Sequence, residues 1–268
     1  MLDSLVRRPH HILIHYGLLI IIVCVAWYLS FRVHPSLYIL AFPFIIWLQL
    51  KMFVFGHECL HHLLFNNRKF NILFGRLLCF SPILISFNKY QKYHLLHHKY
   101  LGHELDPDFK LYNQQDKSWS EFFKRNFIEA ISLQSFVMGV MAYTDILPSQ
   151  KTKLNYKSDS VLLISFWALL ISAFYYQGLI VEFFLLWGLP LLFFPSVLSI
   201  FTFVQHGNKT MIKSNLVNLK PWQKFLFPMN IHLHGSHHEV SNKAWFELEE
   251  SKNIDEQTIE EFTKNSLS

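Results

Sequence analysis

Charge is scarce in this 268-residue chain: Asp, Glu, Lys and Arg make up 16% of it, against about 25% in ordinary soluble domains. Beside a hydrophobic share of 51%, that scarcity excludes a disordered or nucleic-acid-binding tail as the main body of the protein. Cysteine is rarer still. Cys24, Cys59 and Cys79 are an odd number without a CxxC pair, which argues against a disulfide framework and against a thiolate zinc site. Internal repeats and low-complexity stretches are absent as well. What the chain does have is apolar length and sixteen histidines.

A membrane-crossing helix needs about 20 mostly apolar residues, because the hydrocarbon core is about 30 Å thick and a helix rises about 1.5 Å per residue. Four stretches approach that requirement: residues 12–31, 36–56, 160–176 and 179–204. The first two are separated by Arg32-Val33-His34-Pro35 and the last two by Gln177-Gly178, spacers with room only for tight turns. The expectation is an all-α integral membrane protein of one domain, residues 1–268, with four transmembrane helices in two hairpins. Arg7 and Arg8 precede the first stretch, but its apolar core exceeds the roughly 7 to 15 residues of a signal peptide and no A-x-A-like site follows, so it reads as a retained span.

The formal net charge of +5 points to the anionic face of a membrane as the acidic partner. Thirteen basic residues lie between positions 57 and 158, and only Arg32 lies in the turns between paired spans. By the positive-inside rule both termini and the middle segment are cytoplasmic, giving a histidine-rich cap over about 57–158 and 205–250. The middle segment holds two apolar patches, 72–87 and 127–142. The first contains Gly75, Arg76, Ser81 and Pro82 and reads as interfacial or re-entrant rather than as a fifth span. The tail from about Lys243 reads as a solvated helix or coil.

Ten histidines fall in four places on that cytoplasmic side: His57, His61 and His62 at the end of the second span, His94, His97 and His98 in the middle segment, His206 just beyond the fourth span, and His234, His237 and His238 in the tail. Residues three or four apart share a helix face, so His94, His97 and His98 can address one centre, as can His234, His237 and His238, and as can His57 with His61. His62 sits about 140° around the helix from His57, so it needs a second metal or a helix end that unwinds. Chance predicts roughly 0.06 HxxHH strings in a chain of this composition; there are two. Imidazole suits iron, zinc, copper and nickel, and one metal rarely takes more than about six donors, so ten convergent histidines imply two metals. His10, His11, His15, His34, His103 and His232 lack the spacing and read as structural.

These residues resemble the membrane fatty acid desaturase family, whose pattern is HxxxH or HxxxHH followed by two HxxHH boxes on a four-span scaffold. The likeness extends from His57-Glu58 through Asn66-Asn67-Arg68, Asn71 and Gly75-Arg76, to His94 through Gly102 with Asp106-Pro107-Asp108-Phe109, to Phe203-Val204-Gln205-His206, and to Asn230 with His234–His238 and Trp245. The resemblance implies a non-haem centre of two iron ions held by histidine, using dioxygen and external electrons to attack an unactivated C–H bond of a lipid. Carboxylates normally orient metal-bound imidazoles; Glu58, Glu104, Asp106, Asp108 and Glu239 stand close enough in sequence, and Glu58, Asp106 and Asn230 are the expected supports. Neither an HPGG segment of the cytochrome b5 type nor a GxGxxG loop is present, so the electrons are expected from a separate ferredoxin-like or cytochrome b5-like protein. No nucleic-acid partner is expected.

Departures and alternatives stand beside that reading. Glu239-Val240-Ser241-Asn242 replaces the proline usual after the third box, and the DPDF string also resembles beta-carotene ketolases, which makes carotenoid ketolation or hydroxylation the runner-up. His57-Glu58-Cys59-Leu60-His61 is literally HExxH, in which Glu58 would be the general base of a zinc metalloprotease, but both HxxHH boxes would then go unused. The sterol desaturase and hydroxylase superfamily sets its first two boxes closer together than His57 and His94, and alkane monooxygenases are longer with more spans.

Overall fold

The computed structural model describes residues 9–109, 119–144, 157–206, 216–218, 228–249 and 256–258. Helix is nearly all of it: α1 Pro9–Tyr28, α2 Tyr38–Leu60, α3 Arg68–Phe74, α4 Phe87–Tyr100, α5 Trp119–Ile131, α6 Gln134–Tyr143, α7 Lys157–Tyr176, α8 Ile180–Phe183, α9 Leu189–His206 and α10 His234–Glu239. Among the described residues, β1 (Leu216–Asn218) and β2 (Glu256–Thr258) form one short parallel pair. The described chain groups into two compact units, each assembled from two separated stretches: residues 1–88 with 136–194, and residues 89–135 with 195–268.

The first unit carries the apolar length. Among the described residues, four helical segments are long and apolar enough to cross a membrane: Ile14–Val33, Pro35–Leu60, Asp159–Tyr176 and Ile180–Phe203. They match the four stretches read from the sequence. Two are extended by π-helical turns, Leu29–Val33 after α1 and Phe184–Gly188 between α8 and α9. Only 11% of the third segment and 17% of the first are buried within the protein; apolar helices so little covered by protein need hydrocarbon around them. Leu19 and Ala26 of α1 pack with Ala41, Ile45, Leu48 and Met52 of α2 and with Leu186.

Several polar groups within this unit find internal partners, as an apolar surrounding favours. Gln49 Nε2 donates to the Trp187 carbonyl at 3.1 Å, Trp187 Nε1 to the Pro82 carbonyl at 2.9 Å, and Trp167 Nε1 to the Ser81 carbonyl at 2.8 Å. Those two carbonyls face indoles because the helical run Arg68–Ile83 stops there: Leu84 is left-handed, with φ 57. The apolar patch 72–87 is therefore a broken run of α3, a π turn (Gly75–Phe80) and a 3-10 turn (Ser81–Ile83). The π turn packs on α2 at backbone distance, since a Cβ on Gly75 would lie 2.6 Å from Cys59 Cβ.

The second unit holds most of the histidines. Phe122 of α5 is fully buried, with its ring centroid 4.5 Å from that of Phe203 on α9. Gln205 Nε2 donates to the Ile231 carbonyl at 3.2 Å, and Asn230 Nδ2 to the Trp245 carbonyl at 3.2 Å. The start of the tail is not solvated as its polar composition suggests: Ala244 and Trp245 are buried.

Candidate metal centre

Each histidine box owes its shape to a local backbone event. α4 has neither glycine nor proline across Phe87–Tyr100, so His94, His97 and His98 keep true helical spacing and share a face. Gly102 then turns the chain with φ 78, a conformation glycine adopts without penalty, and the segment after it folds back on the helix. The third box is delivered differently. Met229 and Asn230 are both left-handed (φ 56 and 54), and the short α10 that follows places His234, His237 and His238 on one side before ending at Val240. His206 is the last residue of α9, three residues past the apolar segment Ile180–Phe203.

Within the second unit the seven histidines form two adjoining groups. His97, His206, His234 and His238 each direct a ring nitrogen into one space, all four atoms within 4.8 Å of one another. His234 and His238 bring their Nε2 atoms to 3.0 Å. The His206 ring centroid lies 4.7 Å from His97, 5.0 Å from His234 and 5.2 Å from His238. The second group is His94, His98 and His237, with Nε2 separations of 2.9 Å for His94–His98 and 3.2 Å for His98–His237. The groups adjoin through His98 and His238, whose ring centroids are 4.3 Å apart.

These spacings fit a bound ion. Two nitrogens each about 2.1 Å from one ion and at right angles to each other are about 3.0 Å apart. Burial favours the neutral, ligand-ready form. The His206 and His238 pKa values are pushed well below the usual range, first by desolvation and then by neighbouring imidazoles.

Among the candidate ligands, His97 has a carboxylate directly against its ring. Its Nδ1 lies 2.9 and 3.0 Å from the two carboxylate oxygens of Asp106, which commits Nε2 to the open space. Burial alone would lower its pKa, but the Asp106 hydrogen bond and the charges of Asp108 and Asp106 outweigh it and raise the value. Asp108 is held in turn: Tyr93 Oη donates to it at 2.7 Å and to the Pro107 carbonyl at 3.0 Å. Asp108 N donates to Asp106 Oδ1 at 2.9 Å. Burial raises the Asp108 pKa against the opposing pull of His97 and Tyr93. Tyr93 was not among the expected supports, although its position four residues before His97 puts it on the same helix face.

In the first unit, His57 and His61 face each other at the end of α2 with ring centroids 4.9 Å apart. Burial, then the neighbouring His57 and His62 charges, push His61 down to about 3. Glu58 is buried, and its Oε1 approaches His57 Nδ1 at 3.6 Å, behind the ring rather than at Nε2. α2 ends at Leu60 and His62 is left-handed (φ 59), so the helix unwinds at this histidine. Asn230 braces the loop ahead of the third box through Trp245 rather than bonding a box histidine. Three histidines outside the boxes have local partners: His34 Nδ1 accepts from Ser36 N, His103 Nδ1 accepts from Leu105 N, and His15 packs edge-on against Phe55.

Known proteins that resemble this chain belong to one broad group of enzymes. The sequence model of the family described as "Fatty acid desaturase" matches residues 31–264. The chain is 38% identical over 68 residues to the omega-3 fatty acid desaturase fat-1 of Caenorhabditis elegans, an alignment covering 25% of this chain and 16% of that one. It is 31% and 30% identical over 84 residues to beta-carotene ketolases from two Paracoccus strains, covering 31% of this chain and 35% of theirs. The alignments thus span about a third or less of these relatives' lengths.

Proposed function

The chain belongs to the fatty acid desaturase family, and from that premise we propose that it is a membrane-bound, oxygen-dependent oxidoreductase that introduces a C=C bond into an acyl lipid. The observation that carries this reading is the pair of adjoining imidazole groups, with Nε2 atoms about 3 Å apart in each. Seven donors in two groups ask for two ions. One takes His97, His206, His234 and His238. The other takes His94, His98 and His237, and in this reading the first-box histidines His57, His61 and His62 complete the donor set on the strength of their spacing and the family pattern.

Bound iron would supply the oxidising power for removal of two hydrogens from an alkyl chain, with dioxygen, two protons and two electrons from a separate donor protein of ferredoxin or cytochrome b5 type completing the balance to two waters. The protein's own part is positioning. Asp106 accepts from His97 and fixes its tautomer, and Tyr93 with Asp108 holds the loop that presents Asp106. An alkyl substrate offers no polar handle, and the first unit has space suited to one: an apolar cavity of about 480 Å³ lined by Val23, Trp27, Met52, Phe166, Leu170 and Trp187. Positive-inside asymmetry gives the topology of this reading, with two hairpins and with both termini and all histidine boxes cytoplasmic.

Mass spectrometry of lipids and pigments from cells expressing the protein, against cells expressing His97→Ala, tests the assignment. New unsaturated acyl chains present only with the native protein are expected. The Paracoccus alignments favour one second reading, a carotenoid ketolase, and keto-carotenoids without altered acyl chains would select it. As for HExxH proteolysis, a general base must face metal-bound water, whereas Glu58 lies behind His57 at Nδ1.

A further inference from the structure

The start of the helix that carries the second box is tied to a distant carboxylate. Ser86, immediately before α4, is the residue type that ordinarily caps a helix by accepting from a first-turn N–H. Here its hydroxyl donates to Asp159 Oδ2 at 2.9 Å, and the first-turn Asn88 N also donates to Asp159 Oδ2, at 2.8 Å. That carboxylate lies more than seventy positions away in sequence. Asp159 is buried, at 3% exposure, in the first turn of α7. Its other oxygen pairs with Arg76 Nε at 2.7 Å, and Arg76 Nη2 donates to Asn88 Oδ1 at 2.8 Å. The guanidinium also lies over the Phe87 ring, 5.8 Å from its centroid.

One carboxylate therefore joins the π turn after α3, the start of α4 and the start of α7. A negative group at a helix N-terminus stabilises it through the unpaired N–H groups and the helix dipole. An ordinary cap would serve that end alone. Asp159 in addition fixes where α4 begins and how it is rotated, because its partners on that helix are held to α7 and to Arg76 at once. His94 lies two turns further along, and His97 and His98 follow on the same rigid helix. Metal donors must be held within about 0.5 Å of a productive position.

We propose that Asp159 is a positioning residue for the second histidine box, setting the register of α4 so that His94, His97 and His98 present their nitrogens to the metals. The proposal rests on the metal-binding reading above. It does not give Asp159 contact with metal or substrate.

The test is titration of detergent-purified, metal-depleted protein with Co(II), followed by its visible absorption bands, which report donor geometry independently of turnover. Asp159→Ala is expected to keep wild-type helix content while binding Co(II) at least about tenfold more weakly, with altered bands. Asp159→Asn retains an oxygen for Asn88 N and should stay within about threefold of wild type, a rescue that loss of charge alone would not allow. Wild-type affinity and bands in Asp159→Ala, even with a lower melting temperature, would overturn the proposal. If Asp159→Ala does not accumulate in membranes, Ser86→Ala removes one of the two bonds to α4. Affinity reduced by about threefold would then support the proposal, and unchanged affinity would overturn it. A wild-type protein that binds no Co(II) refutes the metal-binding reading itself, whereas a two-site wild type with an unaffected Asp159→Ala refutes only this inference.

Discussion

At the scale of single residues, the centre depends on which nitrogen each imidazole turns inward, and for His97 the cause is explicit. Asp106 occupies Nδ1 with both oxygens, and Asp108 N and Tyr93 hold the loop in place. Asp106→Ala should weaken metal binding by about 10 to 100-fold, while Asp106→Asn, which keeps an acceptor for Nδ1–H, should lose much less; equilibrium dialysis against Fe(II) measures both. His206→Ala should leave one metal weakly held and lower the metal content from two equivalents toward one. His206→Ala protein that retains two ions and full turnover would return His206 to a structural role. Glu58→Gln separates the oxidative and proteolytic readings: modest loss of metal and rate is expected here, complete loss with metal retained in a protease.

Among elements, α2 and the π turn approach closely. A Cβ on Gly75 would meet Cys59 Cβ at 2.6 Å, and Cys59 lies between His57 and His61 on α2. Gly75→Ala should destabilise the protein by about 1 to 3 kcal/mol through overpacking, whereas Gly17→Ala, with nothing within 4 Å, should not. Thermal unfolding in detergent compares the two. Much of this level was legible in the sequence. The four spans follow from apolar length, and the HxxHH boxes from helical periodicity, which leaves His94, His97 and His98 no choice of face. The unwinding at His62 was open to sequence reasoning only as one of two options, because nothing local distinguishes a left-handed residue there. Asp159 and Arg76 were not legible at all, since their partnership depends on segments distant in sequence meeting in space. The buried Ala244 and Trp245 were hidden by the polar residues that follow them.

For the whole molecule, the reading requires one side of the membrane to hold every box. Single cysteines at His34 and Lys69, both exposed and flanking α2, in a background without the native three, should label from opposite faces of sealed membranes. Labelling from the same face would mean that α2 does not cross. The most direct measurement of the central claim is the metal content of active protein purified without oxygen. Iron near two equivalents per chain, lost together with activity on chelation and restored together by Fe(II), is the result expected from two adjoining groups of imidazole donors. Stoichiometric zinc with little iron in an active preparation would contradict it.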